Sequence, residues 1–299
     1  MFDSIQHGFR KGKSVISAAI EFLESIIESV DKGEYALGIF MDLTKAFDSV
    51  KHSILIEKLQ ILGISKASLN WFQSYLSNRI QYTEISNITE EGRILKTRST
   101  SKTIKFGVPQ GSILGPILFI CYLRNIGQIF SSIPQNNICL YADDSSIRIT
   151  GNSLDQVEML SFVELSNLSS YLNKHNLQLN TTKTNFLMFK TAQNRNFVDP
   201  LIIYNDETIQ NKPNVNFLGL LVDENLSWDK HVEKLMGKLN SGIYALTKMS
   251  FLCSPDIVRM LYFSQLHSHI SFGLCLYGST KKSHLEDILK IQKKQLELF

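Results

Sequence analysis

Three carboxylates in this 299-residue chain stand where carboxylates are costly. Asp42 lies at the end of the apolar run that starts at Tyr35, and Asp143 and Asp144 follow the short run Ile138–Ala142. An acid in such a run is expensive to bury unless it is paired or binds a metal. Two carboxylates about 4 Å apart repel by roughly 4 kcal/mol at an effective dielectric of about 20. Three brought together require cations, and an all-oxygen ligand set suits Mg²⁺. Two such ions about 3.5–4 Å apart activate an attacking oxygen and stabilise a leaving one in phosphoryl transfer. Taken singly, each acid has a plainer reading: Asp-Asp as a turn, a strand-end Asp as a cap. The joint arrangement favours a site, because a glycine-rich loop lies between the acids. That loop is Gly107-Val-Pro-Gln-Gly111-Ser-Ile-Leu-Gly115-Pro116. Gly107 and Gly111 permit close backbone approach to a ligand, and Gln110 offers both a donor and an acceptor. The loop lacks the lysine of a phosphate-binding P-loop, so ATPase chemistry is not indicated.

The elements that must position these groups are legible from periodicity. Ser14 is a cap for a helix to about Val30, with Ile16, Ala19, Leu23, Ile26, Ile27 and Val30 at helical spacing and Gly33 as its stop. Tyr35–Leu43 reads as a buried strand. Helices are expected near 51–62 and 65–77, then a polar hairpin from Arg79–Ser86 and Ile94–Phe106. A helix carrying Pro116 in its first turn should run to about Phe130. Ile138–Ala142 and Ser146–Thr150 form a tight hairpin with both acids at its tip. Ser153 caps a helix with Val157, Leu165, Leu168 and Leu172 on one face. Strands follow at Asn185–Phe189, Leu201–Tyr204 and Val215–Val222, and from Trp228 onward the pattern is helical. This is the order of a split βαβ, ferredoxin-like sheet with insertions, in which the first strand neighbours the acid-bearing hairpin.

Composition narrows the class. Hydrophobic residues are 43%, charged residues 20%, and Pro only 6 in number, which excludes wholesale disorder. The longest apolar run, Ile113–Leu123, contains Gly115 and Pro116 and is far short of the ~20 residues of a membrane helix. The N-terminal residues show no basic-then-apolar leader. The four cysteines lack zinc or disulfide spacing. The expectation is a soluble, intracellular protein without a membrane partner; nucleus or cytoplasm, and oligomeric state, stay open. The net charge of +3 hides its distribution. Gly92–Gly107 holds Arg93, Lys96, Arg98, Lys102 and Lys105 with no acid, Lys230–Phe299 holds ten Lys/Arg against five Asp/Glu, and Arg10, Lys11 and Lys13 cluster early. Any one cluster reads as a solvated face. Three basic regions around an acidic middle suit a polyanion held near a metal site.

Three segments, in this order, carry a specific resemblance. Phe40-Met-Asp42-Leu-Thr-Lys-Ala-Phe47-Asp48, Gly107-Val-Pro-Gln-Gly-Ser-Ile-Leu-Gly-Pro and Tyr141-Ala-Asp143-Asp144 resemble motifs A, B and C of reverse transcriptases. The closer likeness is to those of non-LTR (LINE, jockey-like) retrotransposons. Gln6-His-Gly8-Phe9-Arg10-x-x-x-Ser14, His52-x-x-Leu55-x-x-Lys58-Leu59 and Trp71-Phe-x-Ser74-Tyr75-Leu76 resemble further motifs of that branch. Leu179-Asn180-x-x-Lys183-Thr184 is similar to motif D and Phe217-Leu218-Gly219 to motif E, the primer grip. Trp228-x-x-His231 and the stretch from Leu289 to Lys294 fit the thumb.

The resemblance implies an α+β fold, a right-hand polymerase with a ferredoxin-like palm of antiparallel sheet plus helices, partial fingers and a helical thumb. Residues 1–34 and 51–107 would be partial fingers, 35–50 and 108–227 the palm with motifs A–E, and 228–299 the thumb. It implies RNA-directed DNA polymerase activity by two-metal nucleotidyl transfer, with two Mg²⁺ ions (Mn²⁺ as substitute) held by the catalytic Asp42, Asp143 and Asp144. Phe47 would lie beneath the sugar and exclude a ribose 2′-OH; plain core packing is its alternative. Gln110 and Gly111 would border the nucleotide. Lys183 would assist the leaving group, with a solvated turn lysine as its alternative. Tyr141, Phe217, Leu218 and Gly219 would meet the primer, and Arg93, Lys96 and Arg98 the template. The partners implied are an RNA template, a DNA primer and dNTP.

Departures from the family pattern are also written here. The basic finger residues usual upstream of Gln6, the preceding endonuclease and a cysteine knuckle have no counterpart in these 299 residues, so a truncated element is expected. Tyr122-Leu-Arg124-Asn125 stands where the family tends to show Tyr-Ile-Asn-Asp. The rival expectations are a non-catalytic retroelement remnant that only binds nucleic acid, and an RNA-synthesising polymerase, which Phe47 opposes.

Overall fold

A computed structural model describes residues 4–90, 92–130, 137–191 and 199–296. Helix α1 (Val15–Asp31) opens with a reciprocal capping box: Ser14 Oγ accepts from Ser17 N–H, and Ser17 Oγ accepts from Ser14 N–H. Such a cap contributes about 1 kcal/mol. Strand β1 (Tyr35–Met41) follows, then helices α2 (His52–Ile61) and α3 (Lys66–Leu76). The expected polar hairpin is two short antiparallel ladders: β2 (Ile80–Gln81) with β5 (Lys102–Thr103), and β3 (Glu84–Ile88) with β4 (Ile94–Arg98). Helix α4 (Leu114–Tyr122) carries Pro116 in its first turn but stops before Phe130. Asn125 takes φ +72°, and a separate 3-10 turn spans Ile126–Phe130.

Strand β6 (Asn137–Tyr141) turns into β7 (Asp144–Gly151), and α5 (Leu154–Lys174) leads to β8 (Asn185–Phe189). Ser153 caps α5 by accepting from Gln156 N–H. Short strands β9 (Ile203–Tyr204), β10 (Glu207–Thr208) and β11 (Gln210–Asn211) come next. The expected single strand over Val215–Val222 is instead a hairpin, β12 (Asn214–Phe217) with β13 (Leu220–Asp223). Leu218 and Gly219 both take positive φ, +49° and +89°, which reverses the chain inside an otherwise strand-like apolar run. The helical remainder is α6 (Asp229–Ser250), α7 (Pro255–Tyr262), a π-turn over Phe263–His267, α8 (Ser268–Ser271), α9 (Leu274–Tyr277) and α10 (Lys282–Leu296).

The central sheet has the order β11-β8-β1-β7-β6. Strands β1, β6, β7 and β8 are antiparallel to their neighbours and β11 joins β8 in parallel. The fourth, first, third and second strands of a βαββαβ unit thus lie side by side, the expected ferredoxin-like arrangement. Both sheet faces are covered. Leu37, Ile39 and Met41 of β1 enter one core with Leu165, Leu168 and Leu172 of α5. Ala36 and Phe40 enter a second core with Phe22, Leu23 and Ile26 of α1 and residues of β12, β13 and α6. This alternation is the period-two geometry of a strand buried on both sides. Phe22, Phe40 and Phe217 form a ring cluster with centroids 5.0–5.7 Å apart, joining α1, β1 and β12.

Candidate active site

The antiparallel register puts the three acids at one edge of the sheet. The last β1–β7 pair is Met41 with Ser145, so one further step along the ladder sets Asp42 opposite Asp144. Tyr141 pairs with Asp144 across the β6–β7 turn, which leaves Ala142 and Asp143 at its tip. Asp144 is partly open to solvent, yet its carboxyl is held above the usual carboxylate range, first by burial and then by the charges of Asp143 and Asp42. The three acids therefore feel one another, although they are a hundred residues apart in the chain. A charge partner is already present on one of them: Lys183 Nζ lies 3.5 Å from Asp42 Oδ2. Backbone contacts fix the Asp42 end, since Asn180 N–H donates to Asp42 O at 2.8 Å.

Among the described residues, no three His, Cys, Asp or Glu side chains are gathered closely enough to hold a metal ion. The donor chemistry nonetheless fits a hard divalent cation. Asp42, Asp143 and Asp144 offer only oxygen, and the upward push on Asp144 by the other two is the repulsion a cation would relieve.

Two cavities adjoin at Asp42 and Lys183. One of about 480 Å³ is bounded by Asp144, Ser145, Phe217 and Leu218 as well. The other, of about 490 Å³, continues past Phe47 and Gln110 to Asp143. The Phe47 ring packs on Phe119 with centroids 4.8 Å apart, and Phe47 also lines this second space. Gln110 Nε2 donates to Asp48 Oδ1 at 2.9 Å, tying the glycine-rich loop to the segment after Asp42. Gly111 has φ +76° and open space around it.

Other expected site residues lie further out. Phe217 is in the core, with Leu218 and Gly219 forming the hairpin turn above it. Lys96 and Arg98, on the exposed hairpin, both pair with Glu84, at 3.0 and 2.6 Å, and Arg98 also lies 4.9 Å from the centre of the Tyr82 ring. Arg93 is exposed beside the same hairpin's turn.

Some fastenings had no assignment from sequence. His52 Nε2–H donates to Gly107 O at 2.8 Å, a partner that fixes the tautomer. Gly107 N–H donates to Val50 O and Val108 N–H to Phe47 O. Gly107 has φ +87°, and a Cβ there would sit 2.9 Å from Asp48 Cα, so glycine is required on both counts. Lys58 Nζ donates to the carbonyls of Tyr122 and Arg124 and to Tyr171 Oη. The motif around His52 and Lys58 carried the signal, but its chemistry needed partners in three other segments.

Comparison with known proteins gives these residues a context. The chain matches the family described as reverse transcriptase (RNA-dependent DNA polymerase) over residues 1–222. It is 27% identical over 307 residues to the probable RNA-directed DNA polymerase from transposon X-element of Drosophila melanogaster, covering 98% of this chain and 31% of that one. It is 25% identical over 301 residues to the RNA-directed DNA polymerase from mobile element jockey of the same organism, covering 97% and 31%. The chain thus spans about a third of the length of these relatives. A solved apo telomerase from Candida tropicalis aligns over 98% of this chain and 51% of its own, at 14% identity and TM-score 0.48, too low a score to bear on the fold. No helix among the described residues is long and apolar enough to cross a membrane.

Proposed function

The chain belongs to the reverse transcriptase family, and from that premise we propose that it is an RNA-directed DNA polymerase core that joins dNTPs to a primer 3′ end on an RNA template. Proteins of this family depend on divalent metal ions, and here the ions are two Mg²⁺, with Mn²⁺ able to substitute. The observation that carries the reading is the approach of Asp42, Asp143 and Asp144 at one end of the sheet, with Asp144 raised by burial and then by the other two. Asp42, Asp143 and Asp144 would hold such ions once their carboxylates drew together around them, and the bound ions would ease loss of the 3′-OH proton and stabilise charge on the departing pyrophosphate. In the step itself the primer 3′-oxygen bonds to the α-phosphorus, the bond to the β-phosphate oxygen breaks, and the hydroxyl proton passes to solvent.

The two adjoining cavities support a division of labour. The space by Ser145 and Phe217, which Leu218 also lines, suits the primer terminus; Tyr141 and Gly219 would meet the primer as it enters. The space by Phe47 and Gln110 suits the nucleotide, with Gly111 leaving room for its approach. Phe47 lies flat beneath the sugar and excludes a 2′-OH. Lys183 stands at the border of both spaces, where an ammonium can neutralise phosphate charge. Arg93, Lys96 and Arg98 meet template phosphates, with Lys96 and Arg98 exchanging Glu84 for them. On this reading residues 1–34 and 51–107 are fingers, 35–50 and 108–227 the palm and 228–299 the thumb.

The test is primer extension on an RNA template with Mg²⁺ or Mn²⁺ and with dNTPs or rNTPs. The parent chain should incorporate dNTPs, and Asp143→Asn should abolish incorporation with its thermal melt unchanged. Extension by Asp143→Asn at the parent's rate overturns the assignment.

A further inference from the structure

The acid-bearing hairpin has an exposed flank. Strand β6 is the outermost strand of the central sheet, so β1 braces the hairpin from one side only, through β7. On the open side, residues 5–7 run parallel to β6 near its end. Leu140 N–H donates to Ile5 O at 3.0 Å and His7 N–H to Leu140 O at 2.8 Å, with Gln6 bridged to Leu140.

Beyond this short ladder the Gln6 side chain reaches the turn itself. Gln6 is 2% exposed, and its Oε1 accepts from Ala142 N–H at 3.1 Å and from Gly8 N–H at 2.7 Å. Both partners are donors, which fixes the oxygen rather than the nitrogen at this position. Gln6 Nε2 is buried without a partner, so the polar role of the side chain is that of an acceptor. Ala142 takes φ +57°, a conformation that an alanine does not favour unaided. The approach is close: a Cβ on Gly8 would lie 2.6 Å from Ala142 N. Arg10 Nη1 closes the other end by donating to Gln6 O at 3.1 Å.

We propose that Gln6 is a positioning residue for the acid-bearing turn, its side-chain oxygen holding the Ala142 N–H so that Asp143 and Asp144 keep their places opposite Asp42. The kinetic part of this inference rests on the polymerase reading; the structural part does not. Buried acceptors whose donors lie in a strained turn restrict that turn to one arrangement. Gln6 touches no reacting group, so its removal should leave nucleotide affinity alone and lower the rate.

The experiment compares the parent with Gln6→Met, similar in shape but without the acceptor, and Gln6→Glu, which keeps an oxygen there. Amide hydrogen exchange is followed in the peptide spanning 138–145, with α5 as internal reference. In Gln6→Met, exchange in that peptide should quicken by about tenfold or more, with α5 unchanged. The same variant should lose about tenfold to a hundredfold in kcat with KM for dNTP within about twofold of the parent. Gln6→Glu should recover most of both effects. Parent-like exchange in Gln6→Met overturns the proposal, as does an equal effect of the Met and Glu variants. A parent chain that extends no primer overturns the polymerase reading instead, and the exchange comparison still decides the role of Gln6.

Discussion

Asp144 is the residue at which repulsion within the site can be measured. Its carboxyl titrates above the ordinary range because of burial and two neighbouring acids. The folded chain therefore holds that proton more tightly than the unfolded chain does. Stability falls as pH rises through the interval between the two values, and the loss is complete above the folded one. Asp144→Asn should accordingly melt at or slightly above the parent at pH 7 in EDTA, while primer extension is lost. A lower melt for the variant in EDTA would contradict this sign. Phe47 tests the nucleotide side. Phe47→Val should raise rNTP use relative to dNTP by about tenfold or more, at a stability cost of roughly 1–2 kcal/mol from the lost contact with Phe119. Competition assays with mixed nucleotides read the first and urea unfolding the second. That Asp42, Asp144 and their neighbour Phe47 stand around one end of the sheet was legible in the sequence, because each sits in a short motif at a strand end. The role of Gln6 was not, since nothing local links residue 6 to the amide of residue 142.

Among the elements, the join between the segment after β1 and the glycine-rich loop leaves no room for a side chain at Gly107. Gly107→Ala adds a Cβ 2.9 Å from Asp48 Cα at φ +87°, so at least about 2 kcal/mol of destabilisation is expected in urea unfolding. Most elements followed from pattern alone. Ser14 and Ser153 cap the helices they were expected to cap, and β8 has the expected bounds. The sequence misleads where tertiary contacts override local preference. Val215–Val222 is apolar enough to read as one strand, but Leu218, a leucine at positive φ, begins a reversal that lets both arms enter the core that holds Phe22 and Phe40. The helix expected to reach Phe130 ends early. Lys58 takes the carbonyl of its last residue, Tyr122, and that of Arg124 just beyond, and Asn125 bends the chain.

For the molecule as a whole, charge and acid sensitivity are the measurable properties. His7, His175 and His231 all titrate below the usual histidine value, with burial the leading cause in each. His231 Nδ1 accepts from Leu221 N–H at 3.1 Å, which requires the neutral ring on that side. For all three the unfolded chain binds the proton better, so the stability they contribute is full above about pH 6.5 and is lost as pH falls. The urea midpoint should drop between pH 7 and 5, and His231→Asn, whose amide oxygen can replace Nδ1, should flatten part of that drop. Nucleic-acid affinity should fall steeply with salt. The double variant Lys96→Glu, Arg98→Glu should reduce the slope of log K against log salt by about two contacts' worth, roughly 1.5–2. An unchanged slope removes that hairpin from the template path.

The bond from Gln6 to Ala142 spans 136 positions of chain. A ribosome working at about 5–20 residues per second emits the first partner roughly 7–27 s before the second. Until then Gln6 has no turn to brace, and the newborn protein holds an unfinished active centre. On the polymerase reading, competence for chemistry is thus timed by translation, and a nascent chain stalled short of β6 would be catalytically silent however well α1 had folded.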